Sequence, residues 1–458
     1  MAKKLMYLAV ISLLLGVVSQ NVVWAARGAN HKAFQERPIK LGTSGGNIND
    51  YGPDYCCSGT LGALVQDGAG VKYILGNNHV MARANAAILG EAINQPGQVD
   101  QDCGQTGAVA DLSDFVEILF DANSINIVDA AIAEIRLGAC KDNDDNSVDC
   151  VDTSGSILGI GQISSNTVSA VLNKEVQKSG RTTGLTFGSI SDVDVSVVVS
   201  YSDECGGSAT KVAHFVNQFL VRPGKFSSGG DSSSLIVEAD GVDPNDGLPR
   251  AIGLLFAGSR RYTIANPIEV VLSQLGVTMV GGTAPAPEPD PEPEPGAGTI
   301  SGTVTVKDSI DNFIEGVKIR VDSGQSGKTD AAGNYTVTGV PAGVHSAKAS
   351  AKGFETLTIT GINVVKAVTT KGINFALSTR AKGRKGAIEI AGKVKARHGK
   401  KLFEIPGVVG HGIGLSKNGR PVIHVYLEDD LPQARARIPA KLDGVSVRVL
   451  VTGSFEAF

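Results

Sequence analysis

The chain has 458 residues, and a prior of roughly 150 residues per domain predicts about three domains, each with its own core. Hydrophobic residues at 42% and charged residues at 19% exclude a disordered polyampholyte and, beyond the N-terminus, a membrane protein; a net charge of -4 gives no general attraction to nucleic acid. Glycine occupies 57 positions without a Gly-X-Y period, which points to many tight turns and a β-rich architecture.

Lys3 and Lys4 precede an apolar run over residues 5–18, and Val23-Trp24-Ala25 places small or modest side chains before a cut after Ala25. Residues 1–25 therefore read as a secretory signal peptide, followed by an N-terminal segment over 26–50. Its removal leaves a charge of -6 and no later run long enough to span a membrane, so stable membrane insertion is not expected. The expected compartment is secreted or periplasmic. All six cysteines lie beyond the cut, and an even count in an exported chain favours disulfides over metal thiolates. Cys140 and Cys150, which enclose a short polar loop, form the preferred pair. The adjacent Cys56 and Cys57 must look elsewhere, to Cys103 and Cys205.

The chemistry is concentrated in residues 51–283. Tyr73-Ile-Leu-Gly-Asn-Asn-His-Val80 is a β-run ending in His79, a candidate base. In Asn126-Ile-Val-Asp-Ala-Ala-Ile-Ala-Glu134, Asp129 sits among apolar residues and needs a charged or hydrogen-bonding partner if buried. An imidazolium would satisfy it. Residues 142–149 begin like a calcium loop, but Ser147 and Thr153 stand where that loop needs its glycine and glutamate, so a solvated acidic loop is expected. No Cys/His zinc spacing or phosphate loop is present, and neither a metal nor a cofactor is expected. Finally, Phe226-Ser-Ser-Gly-Gly-Asp-Ser-Ser-Ser-Leu-Ile-Val237 delivers Ser232 from a glycine-rich turn just before an apolar strand. A nucleophilic serine needs a neighbouring base, a carboxylate to orient that base, and amide donors aimed at the developing oxyanion.

Proline alternates with acidic residues across 284–297, which favours an extended spacer with nothing to bury. Residues 298–378 carry short alternating β-runs, such as Ile300-Ser-Gly-Thr-Val-Thr-Val306, separated by turn signals, and predict a small β-sandwich. The last segment, 379–458, carries about +8 against -12 for the remainder. It predicts a basic helix over 388–402, strands over 408–415, 422–427 and 445–451, and a compact α+β domain. Its charge invites either intramolecular docking onto the acidic remainder or contact with an anionic cell surface; a solvated basic face is the plain alternative.

The His79, Asp129 and Ser232 segments together resemble the trypsin-like serine peptidases of the chymotrypsin fold, in that family's chain order. Val176-Gln-Lys-Ser-Gly-Arg-Thr-Thr-Gly184 looks like the Lys-x-Gly-Arg-Thr-Thr-Gly turn of bacterial and viral-type members. Ile252-Gly-Leu-Leu-Phe-Ala-Gly-Ser259 and Ala265-Asn-Pro-Ile268 resemble the substrate-binding strand and closing helix, and the branch is similar to bacterial relatives of the plant NARROW LEAF-type peptidases. The segment after the linker resembles the carboxypeptidase regulatory-like, or transthyretin-like, domain, a non-catalytic module, through Thr329-Asp-Ala-Ala-Gly-Asn-Tyr335 and Val340-Pro-Ala-Gly343.

These resemblances imply a mainly β fold: a chymotrypsin-like double β-barrel, a small β-sandwich and a C-terminal α+β domain. They imply Ser232 as nucleophile, His79 as base and then acid, Asp129 as the residue fixing the histidine tautomer, and the amides of Gly230 and Ser232 as oxyanion hole. Phe226 lies at the base of the primary pocket, with Ala257 and Gly258 on its wall. That pocket has no acid to select Lys or Arg, so small or apolar side chains are expected. The implied activity is exported serine endopeptidase, acting on protein or peptide substrates. Ser233 stands where the family usually has glycine, which motivates a competing reading of a catalytically weak fold used for binding. A third reading makes 379–458 a built-in inhibitor or folding aid.

Overall fold

The computed structural model describes residues 30–121, 124–202, 207–239, 241–243, 245–282, 297–306, 313–351, 354, 356–377 and 382–458, with the side chains of 382–385 excepted. The signal-peptide segment, nearly all of the linker, and Cys205 lie outside the described residues. No helix among the described residues is long and apolar enough to cross a membrane.

The chain is mainly β. Its first sheet begins with β1 (Thr43–Asn47), β2 (Gly59–Leu61), β3 (Ala63–Gln66) and β4 (Lys72–Gly76). A single helical turn, α1 (Asn78–Met81), follows, then β5 (Ala92–Asn94), β6 (Ala108–Phe115) and β7 (Ala131–Ile135). His79 therefore sits in a helical turn just beyond the β-run, not at the strand end itself. A small hairpin of β8 (Cys140–Lys141) and β9 (Ser147–Val148) is closed by the Cys140–Cys150 disulfide. Cys56 pairs with Cys103, and Cys57 is also disulfide-bonded.

The second sheet contains β10 (Glu175–Gly180), the long β11 (Gly184–Tyr201), β12 (Lys211–Arg222), β13 (Leu235–Glu238), β14 (Ala251–Gly258) and β15 (Thr263–Pro267). Helix α2 (Ile268–Leu275) then leads into β16 (Thr278–Met279), which returns to the first sheet. The first sheet has the order β16-β3-β4-β7-β6-β5-β1-β2. Because β2 and β3 lie near its two ends yet are separated only by Gly62, that sheet curls onto itself. The second runs β10-β13-β14-β15-β12-β11 and closes through β10–β11 pairing. The curled first sheet and the closed second sheet meet along a cleft, the chymotrypsin-like arrangement.

The sandwich contains β17 (Ala297–Val306), β18 (Lys318–Val321), β19 (Ser326–Lys328), β20 (Asn334–Pro341), β21 (Gly343–Ser350), β22 (Leu357–Val364), β23 (Thr369–Thr370) and β24 (Phe375–Leu377) in two four-stranded sheets. Alternation buries Ile319 and Val321 while Lys318 and Arg320 face water. The turn motif has local work: Thr329 Oγ1 donates to the Ile314 carbonyl at 2.6 Å, and Asp330 accepts from the Asn334 amide at 2.7 Å.

The last 80 residues do combine a helix and strands, but their sheet is not self-contained. Helix α3 (Lys382–Phe403) is longer than the predicted 388–402. Strands β25 (Val408–Leu415) and β26 (Pro421–Leu427), helix α4 (Pro432–Arg437), and strands β27 (Lys441–Leu442), β28 (Val445–Val451) and β29 (Phe455–Ala457) complete the unit. Strand β25 pairs antiparallel with β11, so the second barrel continues into β25-β26-β28-β27. Irregular register along β11 between Ile190 and Val197 lets it serve both neighbours.

Charged and apolar contacts meet at this junction. Lys395 reaches Asp194 at 2.7 Å, while buried Asp192 accepts from the Tyr426 hydroxyl at 2.9 Å and from His424 Nδ1. Around them Val195, Val197, Tyr426 and Phe455 share one apolar cluster. Backbone approach is close enough that a Cβ at Gly412 would stand 2.5 Å from the Tyr426 hydroxyl.

Replacing Asp192 by Leu would strand the Tyr426 hydroxyl and His424 without their acceptor, a loss of about 2–4 kcal/mol. The expected result is a lower denaturant midpoint, with early loss of amide-exchange protection in β25 and β26. An unchanged midpoint would contradict this account of the junction.

Candidate functional site

The site is built first by one turn. Between β12 and β13 the chain doubles back through residues 227–234, and Gly230 takes φ +90, where an added Cβ would come within 2.5 Å of Arg181 Nη1. The next residue, Asp231, is fully buried. Its carboxylate accepts from the amides of Thr182 (2.9 Å), Thr183 (3.1 Å) and Ser228 (3.0 Å) and from Thr183 Oγ1 (2.7 Å), and Lys178 Nζ lies 3.3 Å away. Lys178 is also buried; desolvation lowers its pKa, against the pull of Asp231. The Lys-x-Gly-Arg-Thr-Thr-Gly motif is thus the cradle of the Asp231 carboxylate. Arg181, from the same motif, makes a two-pronged bond to Asp100 of the first barrel at 2.5 and 2.8 Å.

That turn presents Ser232 to the first barrel. Ser232 Oγ stands 2.8 Å from His79 Nε2, and His79 Nδ1 stands 2.6 Å from Asp129 Oδ2. The His79 amide donates to the other Asp129 oxygen at 3.2 Å. Asp129 has no solvent exposure, as its apolar neighbours predicted, and its second side-chain donor is the Tyr201 hydroxyl at 3.0 Å. A carboxylate only accepts, so Nδ1 carries a proton, and Nε2 of the neutral ring is left as an acceptor facing Ser232. Burial alone would depress the His79 pKa, but the charge and hydrogen bond of Asp129, helped by the Phe458 carbonyl and Asp50, outweigh it and hold the imidazole above its ordinary value.

Ser233 takes φ +74, the left-handed region that favours glycine. Its side chain supplies what a glycine could not. Ser233 Oγ accepts from the Asn77 amide at 2.8 Å and donates to Asn77 Oδ1 at 3.2 Å. Asn77 Nδ2 in turn donates to the Asp129 carbonyl at 2.7 Å, so Ser233 ties the serine turn to the aspartate loop. Asn266 completes the tie, accepting from the Asp129 amide at 3.2 Å and donating to its carbonyl at 3.2 Å.

Tyr201, Asn77, Asn266 and the Lys178–Asp231 pair were not singled out from sequence. Asn77 and Asn266 lie inside quoted motifs, but nothing there distinguishes them from turn residues. Tyr201 ends a strand far from the other segments.

Phe226 and Ala257 fall in different apolar clusters. Phe226 is buried with Val221, Ile236 and Leu255, while Ala257 and Gly258 end β14. A cavity of about 570 Å³ is bordered by Asp50, Tyr55, His79, Arg83 and Arg181. Burial pushes Asp50 up to about 6, against the opposing pull of Arg83 and His79. The acidic 142–149 loop lies elsewhere, and Asp142 is engaged by the Asp144 and Asn146 amides at 3.0 and 2.8 Å. Among the described residues no group of three or more His, Cys, Asp or Glu side chains is arranged to hold a metal ion.

Residues 299–378 match the family model of the carboxypeptidase regulatory-like domain. No curated protein matches the chain. Among solved structures, one similar chain is a glutamic acid specific serine protease described as using a histidine triad in substrate binding, at 19% identity over 53% of this chain and 100% of that one, with a TM-score of 0.34. Thermobifida fusca protease A is similar at 16% identity over 53% and 99%, with a TM-score of 0.31. Nocardiopsis protease is similar at 14% over 53% and 98%, with a TM-score of 0.32. At such values the site's chemistry rests on this chain's own side-chain geometry.

Ser233→Ala keeps the positive φ and loses both bonds to Asn77, an expected loss of about 1–3 kcal/mol. Ser233→Gly loses the same bonds but relieves the backbone, so its denaturant midpoint should fall between those of wild type and Ser233→Ala. A Ser233→Gly midpoint above that of wild type would show that the Asn77 bonds do not offset the strain.

Proposed function

We propose that this chain is an exported serine endopeptidase that hydrolyses protein peptide bonds through an acyl-enzyme. The observation carrying the proposal is Ser232 Oγ placed 2.8 Å from His79 Nε2, with buried Asp129 2.6 Å behind Nδ1. In the proposed reaction Ser232 Oγ attacks the substrate carbonyl carbon as its proton passes to Nε2, and the carbonyl oxygen becomes an oxyanion facing the amides of Gly230 and Ser232. Collapse breaks the C–N bond, and the departing amine takes the proton from Nε2. Water then repeats the sequence, with His79 drawing its proton, and releases the acid and Ser232.

Asp129 stays ionised throughout and stabilises the imidazolium that forms at each half. Tyr201 and the Asn77 and Asn266 amides hold Asp129 in place and act as positioning residues. Export is supported by the signal-like residues 1–25 and by the disulfides Cys56–Cys103 and Cys140–Cys150, which persist in oxidising compartments. The finer relationship to NARROW LEAF-type peptidases belongs to the same proposal. The sandwich and the basic C-terminal unit are read as modules of placement and control.

A fluorophosphonate probe should label wild type and fail on Ser232→Ala of matched circular dichroism. Absence of labelling and of casein hydrolysis in folded wild type, repeated on chains shortened at the C-terminus, would leave the binding-fold reading in its place. The raised His79 pKa gives a second check. His79 must be neutral to accept the serine proton, so kcat/KM should rise with pH along a limb centred above the ordinary histidine value of about 6.5. Asp129→Asn should move that limb down and lower kcat by roughly 10³–10⁴. A limb unmoved by Asp129→Asn would assign the titration to another group.

A further inference from the structure

The cleft beside Ser232 is filled by the chain's own residues. Strand β29 lies antiparallel to β14, with Ala457 opposite Ala257 and Glu456 opposite Gly258. Its other edge runs parallel to β11, where Phe455 faces Val199. Beyond the strand, the Phe458 amide donates to the Phe256 carbonyl at 3.3 Å. The Phe458 oxygen lies 2.7 Å from Ser232 Oγ and 3.2 Å from His79 Nε2, where it competes with Nε2 for the single hydroxyl proton of Ser232.

The side chains follow the same register. The Phe458 ring packs against the cluster that holds Phe226, Val221 and Leu255, and it lies on Gly258 so closely that a Cβ there would stand 2.3 Å from Cζ. Ala457 packs against the apolar cluster that includes Tyr201, Phe215 and Phe256. An extended segment added to a sheet edge, with the Phe458 oxygen at Ser232 Oγ and the Phe458 ring against an apolar cluster, occupies the place of the acyl half of a substrate.

We infer that residues 456–458 are a resident, substrate-like occupant that silences the cleft, and that the cleft selects peptides with a Phe-sized apolar side chain at the attacked carbonyl. This rests on the peptidase reading. It narrows the expectation of small or apolar side chains, because the pocket accepts a whole phenyl ring.

The occupant is held by the fold that carries it. Phe455 is buried and packs edge-on against Tyr426 of β26 at 6.0 Å, and β26 belongs to the sheet that extends the second barrel. Three residues therefore reach the nucleophile from a fixed anchor. Such tethering corresponds to effective concentrations of the order of mM, above the working range of most peptide substrates.

The test compares the full chain with a chain ending at Phe455, which keeps the buried anchor, and with the full-length Phe458→Asp variant. Both shortened and Asp-substituted forms should cleave a fluorogenic peptide with Ala-Phe before the scissile bond at least about tenfold faster than wild type, and should prefer Phe, Tyr or Leu there over Gly, Lys or Glu. The synthetic peptide Gly-Ser-Phe-Glu-Ala-Phe should inhibit the shortened chain competitively, and its Asp-terminated analogue should not. If all forms take the fluorophosphonate probe equally and neither variant is faster, the occupancy inference fails while the peptidase reading stands. If no folded form takes the probe, the peptidase reading fails and this inference with it.

Discussion

A buried carboxylate must have its charge met, and Asp231 sets the terms on which the rest of the site forms. Lys178 neutralises it, and the amides of Thr182, Thr183 and Ser228 occupy its lone pairs. Lys178 lies in β10, Thr182 and Thr183 in the turn that follows it and Ser228 in the serine turn itself, so the position of Ser232, one residue along, follows from satisfying its neighbour. Removing one partner of such a pair strands a charge in low dielectric at a cost of about 3–5 kcal/mol, which is why this backbone has little freedom to take another shape. Arg181 then carries the constraint into the first barrel through Asp100.

The cleft lies where the curled first sheet meets the closed second sheet, and each carries part of the candidate site. His79 and Asp129 come from the first barrel and its loops; Ser232, Tyr201 and Asn266 come from the second. Tyr201 and Asn266 hold Asp129 from the far side, and Asn77 binds Ser233 from the near side, so the alignment of the triad residues is also the alignment of the barrels. The C-terminal unit is held to this body by strand pairing and apolar contact together with the Lys395–Asp194 and His424–Asp192 contacts. Long-range attraction between a basic segment and an acidic remainder is screened over about 8–10 Å, whereas a shared sheet fixes register residue by residue.

Much of the site was legible in the residues because its chemistry needs local motifs. A serine on a glycine turn, a histidine after a β-run and an aspartate in an apolar stretch announce themselves through composition over a few positions. The same holds for the Cys140–Cys150 pair across a short loop, for the sandwich turn at Thr329 to Tyr335, and for the strands of the last segment. Tyr201, Asn77, Asn266 and Lys178 were not legible. Their roles depend on partners tens to hundreds of positions away, and their own surroundings look like ordinary strand or turn.

By itself, the sequence determined the mainly β architecture and the order of the three candidate reactive residues, since alternation, turn residues and side-chain type are local properties. Tertiary structure alone decided that β25 would extend the second barrel, that Ser233 would exchange backbone strain for bonds to Asn77, and that Phe458 would lie with its carbonyl at Ser232. Each of these is a pairing between distant segments. Its energy comes from contacts that exist only once the barrels have closed, and no stretch of residues carries that information alone.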